Sequence, residues 1–296
     1  MKALRILGLT AFLAVFLTGP ALAAQPPVGL GTAGGFAILA SQTITNTGAT
    51  TITGDVGLSP GTSVTGFETV TLHGTQHVAD APALQAQNAL TTAYTDASGR
   101  TPVTTIAAQL GGQVLVAGVY ASQDGAFLLT GALTLNGENN PNAVFVFQAA
   151  STLTTASGSS VVLSGQAQSC NVFWQLGTSA TLGTRSALRG TIMAQASITM
   201  TTGASLDGRA LARTGAVTLD TNVIAPSACT VAAATPTPAP AAAATPTPAP
   251  ATVPPTSTSG SGDSGSGPNP STMILFAGLA AGAAFMTIRR LSAIHR

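Results

Sequence analysis

The chain has 296 residues, 45% hydrophobic and only 6% charged, with a formal net charge of +1. Lysine occurs only at Lys2, so there is no basic patch to neutralise nucleic-acid phosphates, and a nucleic-acid partner is excluded. The apolar content also excludes a disordered chain of the low-hydrophobicity, high-charge kind.

Residues 1–23 read as a secretory signal. Lys2 and Arg5 precede the apolar run LGLTAFLAVFL, and Ala21-Leu22-Ala23 fits a small-x-small cleavage site. The mature chain is expected to start near Ala24, outside the cytoplasm. Between residues 24 and 230, five arginines (100, 185, 189, 209, 213) meet eight carboxylates (55, 68, 80, 96, 124, 138, 207, 220), a mildly acidic balance.

Residues 28–72 are strand-like. GGFAILAS, QTITNTG, TTITGDVGLSP and TSVTGF alternate apolar and small polar residues between Gly and Pro punctuation. Residues 80–98 predict a helix, with Leu84, Ala89 (or Asn88), Thr91 and Tyr94 near helical spacing. Asp80 is the expected N-cap, Pro82 lies in the first turn, and Gly99 is the expected stop.

From Gly111 to about Ile224 the strands return in a cycle of three. The most apolar are Gly118–Ser122, Ala143–Gln148, Asn171–Gly177, Gly190–Gln195 and Gly208–Arg213. The Thr-rich ones are Ala126–Thr130, Ser151–Thr155, Ser179–Gly183, Ser197–Thr201 and Ala216–Asp220. Leu133–Leu135, Val161–Gly165, Thr184–Leu188 and Ala204–Gly208 fill a third side. Steps of roughly 19 to 28 residues suit one coil of a β-solenoid. The expected fold is mainly β: a three-faced right-handed β-solenoid with one long helix packed alongside. VFVF and NVFWQ are apolar on both sides, so their outer side needs a cover, and the helix is the expected cover. The Thr-rich strands are expected to bury Leu153, Leu182, Ile198, Met200, Val217 and Leu219. Thr152, Thr154, Thr181, Thr199, Thr201 and Thr218 then lie outward in one ladder. Small methyl-and-hydroxyl side chains with stiff rotamers suit a face that holds water in an ordered layer against a crystal. Thr is also simply a good strand residue. What favours a functional face is the absence of large charged side chains on these strands before Asp220.

The two cysteines, Cys170 and Cys229, either pair in an oxidising compartment or stay as buried thiols. A bridge would be worth about 3–4 kcal/mol. From Ala232 the composition changes to a Pro/Thr/Ala spacer and then a Gly/Ser stretch. An apolar run from Met273 to Ile288 ends at Arg289-Arg290. The expected organisation is a signal at 1–23, a solenoid domain at 24–231, a linker at 232–270 and a membrane anchor or sorting segment at 271–296.

Other chemistry is weakly marked. Gly262-Asp263-Ser264-Gly265 looks like a serine-protease nucleophile but sits in a linker. His73 and His77 are four apart with no third ligand nearby, so no metal is expected. Asp55 suits a turn. Glu68, Glu138, Asp124 and Asp207 are scattered, whereas glycoside cleavage needs two converging carboxylates. Arg185, Arg189, Arg209 and Arg213 either line a polysaccharide groove or pair locally with Asp207 and Asp220.

Several stretches carry a resemblance: LGTAGGFAILAS (30–41), ITGDVGLSPG (52–61), VTGF (64–67), VFVFQ (144–148), CNVFWQLGTSATLGT (170–184) and LDGRALARTGAVTLD (206–220). Together they make residues 28–225 similar to the microbial ice-binding proteins built on a discontinuous, three-faced β-solenoid. The resemblance implies that the first strands join the stack out of simple order. It also implies one face that binds ice without a fixed motif. Mapped onto this chain, that face comprises Ser151, Thr152, Thr154, Ser179, Thr181, Thr199, Thr201 and Thr218, with Ser41, Thr43, Thr62 and Ser63 from the early strands. The tail is similar to the Pro-Glu-Pro sorting signals of Gram-negative bacteria, with Asn269 where the Glu would stand.

The functional expectation is non-enzymatic adsorption to ice, without cofactor, by a monomer exported to the cell envelope and held by its C-terminal segment, or released. The alternatives are a cell-surface adhesin or carbohydrate-binding solenoid, and a carbohydrate-active enzyme on the same fold.

Overall fold

The computed structural model describes residues 25–230. The expected signal, linker and anchor at 1–23, 232–270 and 271–296 lie outside the described residues. Among the described residues, no helix is long and apolar enough to cross a membrane.

Parallel strands stack coil on coil and form three faces. The first face holds Val103–Ile106, Gly118–Ser122, Phe145–Ala149 and Val172–Leu176, followed by the second halves of Ala187–Ala194 and Ser205–Ala212. The second face is a separate seven-stranded sheet and carries the Thr-rich strands. The third face holds Ala132–Asn136, Ser160–Ser164 and the first halves of the same two long strands.

Those two long strands correct the expected boundaries. Thr184–Leu188 and Ala204–Gly208 are not separate elements, because Ala187–Ala194 and Ser205–Ala212 run unbroken from the third face onto the first. The bend falls at Gly190 and Gly208, whose φ values are +106° and +158°. A Cβ at Gly208 would sit 1.8 Å from the Gly190 carbonyl oxygen. Stacked glycines let two coils turn the same corner in contact.

The N-terminal strands enter the stack after the last coil, not before the first. Phe36–Ala40 pairs with residues 210–211 on one side and with Asp55–Leu58 on the other. Thr43–Thr47 pairs with Val217–Asp220, and Thr51–Thr53 with Val223–Ile224. Arg209 crosses this junction, donating from Nε to the Gly34 carbonyl at 2.9 Å.

Two apolar layers hold the coils. Inside the triangle, Tyr120, Phe147 and Trp174 stack, with ring centroids 5.6 Å and 4.1 Å apart. Phe145, Phe147 and Trp174 are completely buried. The Trp174 indole donates to the Arg189 carbonyl at 2.9 Å, so burial leaves no polar atom stranded. On the outer side of the same strands, Val146, Phe173, Met193, Leu211 and Leu39 form a second layer beneath the helix.

The helix spans Ala81–Ser98. Asp80 caps it, accepting the Ala83 amide at 3.0 Å. That hydrogen bond holds the Asp80 carboxyl below its ordinary pKa. At the far end, Gln148 donates its amide to the Ala97 carbonyl at 2.8 Å. The buried stripe is Ala83, Ala86, Leu90, Ala93 and Ala97. This corrects the expected stripe: Leu84 is 54% exposed and Asn88 and Thr91 face solvent, while Ala89 and Tyr94 lie at the margin. The physical reason is the partner. Phe173, Met193 and Val146 fill the interface from the sheet side, so the helix approaches with its small residues.

Replacing Ala93 with Leu is therefore expected to cost about 1–3 kcal/mol by overpacking. Replacing Leu84 with Ala should stay within about 0.5 kcal/mol, as for an ordinary surface change. Urea unfolding of both variants checks the ordering, and the reverse order would place the helix the other way round.

Candidate functional site

The seven strands of the second face are Phe127–Leu129, Leu153–Thr155, Ala180–Leu182, Ile198–Met200, Val217–Asp220, Thr43–Thr47 and Ser63–Thr65, in that spatial order. Each alternates with period two. Leu153, Leu182, Ile198, Met200, Val217 and Leu219 all point inward and are fully buried. The in-register outward positions are Leu128, Thr154, Thr181, Thr199, Thr218, Thr45 and Thr65. Six consecutive strands thus present a threonine at the same position. At one end of the row the Thr65 hydroxyl lies 3.4 Å from that of Thr45. At the other end Leu128 replaces threonine and is 45% exposed.

Of the residues expected on this face, Thr154, Thr181, Thr199 and Thr218 form the central row. Thr43, two positions before Thr45, opens its strand and pairs with Ser63, whereas Thr152 and Ser179 lie one residue before the strands Leu153–Thr155 and Ala180–Leu182. Thr201 lies two positions after Thr199, and its hydroxyl turns back to the Leu182 carbonyl at 2.8 Å. One continuous ladder of all six expected threonines is therefore corrected to a four-member run with Thr152 and Thr201 to either side. Ser151 sits in the turn before its strand, with its hydroxyl on the Gly125 carbonyl at 3.2 Å. Ser41 also precedes its strand, and its carbonyl accepts the Gly61 amide. Thr62 is exposed in the turn entering the last strand of the face.

Thr45 and Thr65 were missed. Their signal was present in the sequence, since TIT at 43–45 and SVT at 63–65 have the same alternation as ATL and ITM. What was missing was their neighbour: only the out-of-order stacking puts Thr45 beside Thr218.

The central row carries no charge. Asp220 opposes Thr47 at the edge of the sheet, where it accepts the hydroxyls of Thr202 and Thr221. Three of the four arginines have local partners. Arg189 pairs with Asp207 at 2.9 Å, and Arg213 bonds Gln195 and lies 4.5 Å over the Tyr94 ring. Arg209 serves the N-terminal junction, and burial pushes its pKa below the ordinary arginine value. His77 bonds Asp80 at 2.8 Å, while His73 is exposed on a different strand. Asp55 opens the strand Asp55–Leu58 and accepts the Thr75 amide of the neighbouring coil at 2.8 Å, a link between coils where the sequence predicts a local turn. Among the described residues, no three His, Cys, Asp or Glu gather as metal ligands. Gly262-Asp263-Ser264-Gly265 lies outside the described residues. Cys170 and Cys229 form a disulfide, with Cα atoms 5.5 Å apart.

The row offers methyls and hydroxyls and no charged side chain. It can contact an extended surface through many weak, repeated interactions.

Comparison with known proteins gives the same picture. The family model described as ice-binding-like matches residues 38–225. An ice-binding protein of Nostoc sp. (strain HG1) is 48% identical over 197 residues, covering 66% of this chain and 72% of that protein. A crystal structure of an ice-binding protein from an Antarctic biological consortium superposes with a TM-score of 0.66 at 44% identity, covering 75% of this chain and 96% of that one. The ice-binding protein of the Antarctic ascomycete Antarctomyces psychrotrophicus gives a TM-score of 0.66 at 42% identity, covering 68% and 99%. The out-of-order strands, the capping helix and this matched span together make the chain a member of the ice-binding-like family.

Proposed function

We propose that the protein adsorbs to ice through its threonine face, slowing crystal growth and recrystallisation without catalysis. The observation that carries this reading is the unbroken row Thr154, Thr181, Thr199, Thr218, Thr45, Thr65. Strand spacing sets its repeat at about 4.7–4.9 Å, so the seven-stranded face is roughly 30 Å long. β-Branched side chains hold their methyls and hydroxyls in few rotamers. A row with fixed spacing and few rotamers can order a layer of water, and that layer can merge with a growing lattice. Thr43, Ser63, Thr152 and Ser179 extend the array with small side chains. The names of the Nostoc and Antarctic relatives support the same reading.

The experiment is a recrystallisation assay of the wild-type protein. Activity at micromolar concentration is expected, and none would sink the proposal.

We also propose that the protein acts outside the cytoplasm, attached to the cell envelope by its C-terminal segment. Support comes from the signal-like leader, the disulfide and the apolar tail with its arginine pair. Full-length protein found wholly in soluble fractions of its host, with its C-terminus intact, would overturn the attachment.

A further inference from the structure

The last described residues do not trail away from the solenoid. Each of Ser227, Cys229 and Thr230 is fastened to it. Ser227 donates its amide and hydroxyl to Asp207 Oδ1 at 3.2 and 2.5 Å. Asp207 Oδ2 accepts the Ser169 hydroxyl at 2.8 Å and Arg189 at 2.9 Å. Cys229 is bonded to Cys170. Thr230 donates its amide and hydroxyl to Gln168 Oε1 at 2.7 and 2.9 Å, and its carbonyl accepts from Gln168 Nε2 at 2.9 Å. Gln168 also donates to the Pro141 carbonyl at 2.8 Å. Ser227, Cys229 and Thr230 of the strap thus find partners at 207, 170 and 168.

These partners share a location. Residues 168–170 join Ser160–Ser164, on the third face, to Val172–Leu176, on the first. Asp207 lies one residue before the Gly208 corner between the same two faces. A triangular coil has three vertices, and this is the one that the threonine sheet does not reach. The chain therefore continues past Thr230 from the vertex opposite the threonine row.

We infer that residues 225–230 are a clasp that carries tension: pull on the C-terminal continuation enters mid-stack at Cys170 and Asp207, and the threonine face points away from that attachment. This deepens the proposed function, since it rests on the threonine face being the ice-contacting one and on attachment through the C-terminus. The mechanical argument is simple. Without the clasp, pull would act directly on Val223–Ile224, a two-residue strand that can peel off a few hydrogen bonds at a time. With it, pull reaches Val172–Leu176 and Ser205–Ala212. Val172–Leu176 is paired on both sides over four or five registers. Such strands must shear as a unit.

The test is single-molecule force spectroscopy on the full chain, held by handles at its two ends. Wild-type molecules are expected to show no extension before the main opening step. The Cys170→Ser/Cys229→Ser variant is expected to show an earlier step at lower force as the strap and residues 223–224 peel away. Should that variant fail to fold, reducing the disulfide on folded, mounted wild-type molecules gives the same comparison. Identical traces with and without the bond would overturn the clasp. This readout needs no ice, so its failure is separate from failure of the threonine-face reading. Soluble recrystallisation inhibition by the same variant reports on that reading and is expected to stay within about twofold of wild type.

Discussion

Tyrosine at position 181 or 199 is expected to leave the protein folded and to raise the concentration needed for recrystallisation inhibition by roughly tenfold or more. Each tenfold step corresponds to about 1.4 kcal/mol of adsorption free energy. Thr181 and Thr199 are adjacent members of the central row, with threonine neighbours on either side. A phenol there stands above the row and holds the lattice away from several threonines at once. Folding should survive, because an outward strand position accepts an aromatic and the inward Ala180, Leu182, Ile198 and Met200 are untouched. Circular dichroism checks the fold and the recrystallisation assay checks the activity. Full activity in both folded variants would move the binding site to another face. Position 45 extends the test. Thr45→Tyr should behave like Thr199→Tyr, because the two residues flank Thr218, although 154 residues of sequence separate them.

The largest stability effect is expected at Trp174. Its side chain is fully buried and stacks on Phe147 at 4.1 Å, and its indole satisfies the Arg189 carbonyl. Trp174→Ala should cost about 3–5 kcal/mol, from lost burial and the cavity left behind. Trp174→Phe should cost less, because it keeps the ring in the stack and gives up the indole hydrogen bond. Equilibrium denaturation with urea measures both. A loss below about 1 kcal/mol for the alanine variant would mean that the coils collapse into the vacated space, the favourable extreme of cavity relaxation.

Much of this molecule could be read from local pattern. The three-strand cycle, the helix with its Asp80 cap and Gly99 stop, and the inward set on the threonine strands each depend on residues close in sequence. The readings that went astray depend on partners far away. Helical spacing alone does not say which stripe of residues 81–98 is buried. The sheet beneath already supplies Phe173 and Met193, so small residues face it. Thr45 and Thr65 join the row only because Thr43–Thr47 enters the stack beside Val217–Asp220. Ser41, Ser151 and Thr62 carry the right side chains but precede their strands, and a composition-based reading places turn and strand serines alike. The bends at Gly190 and Gly208 were read as strand ends, since nothing local distinguishes a corner from a stop.

The out-of-order stacking also sets a timetable. Asn222 donates its backbone amide to Thr50 at 3.0 Å, across 172 residues of sequence. At synthesis rates of about 5–20 residues per second, roughly ten to thirty seconds separate the appearance of those two partners. During that interval the early threonine strands exist with no neighbour on the side that residues 217–220 will cover. Bare strand edges of this kind invite pairing with other chains. The solenoid therefore cannot grow coil by coil from its N-terminus. Its earliest-made strands wait for its latest, and the final coil to emerge closes the structure between segments that were already made.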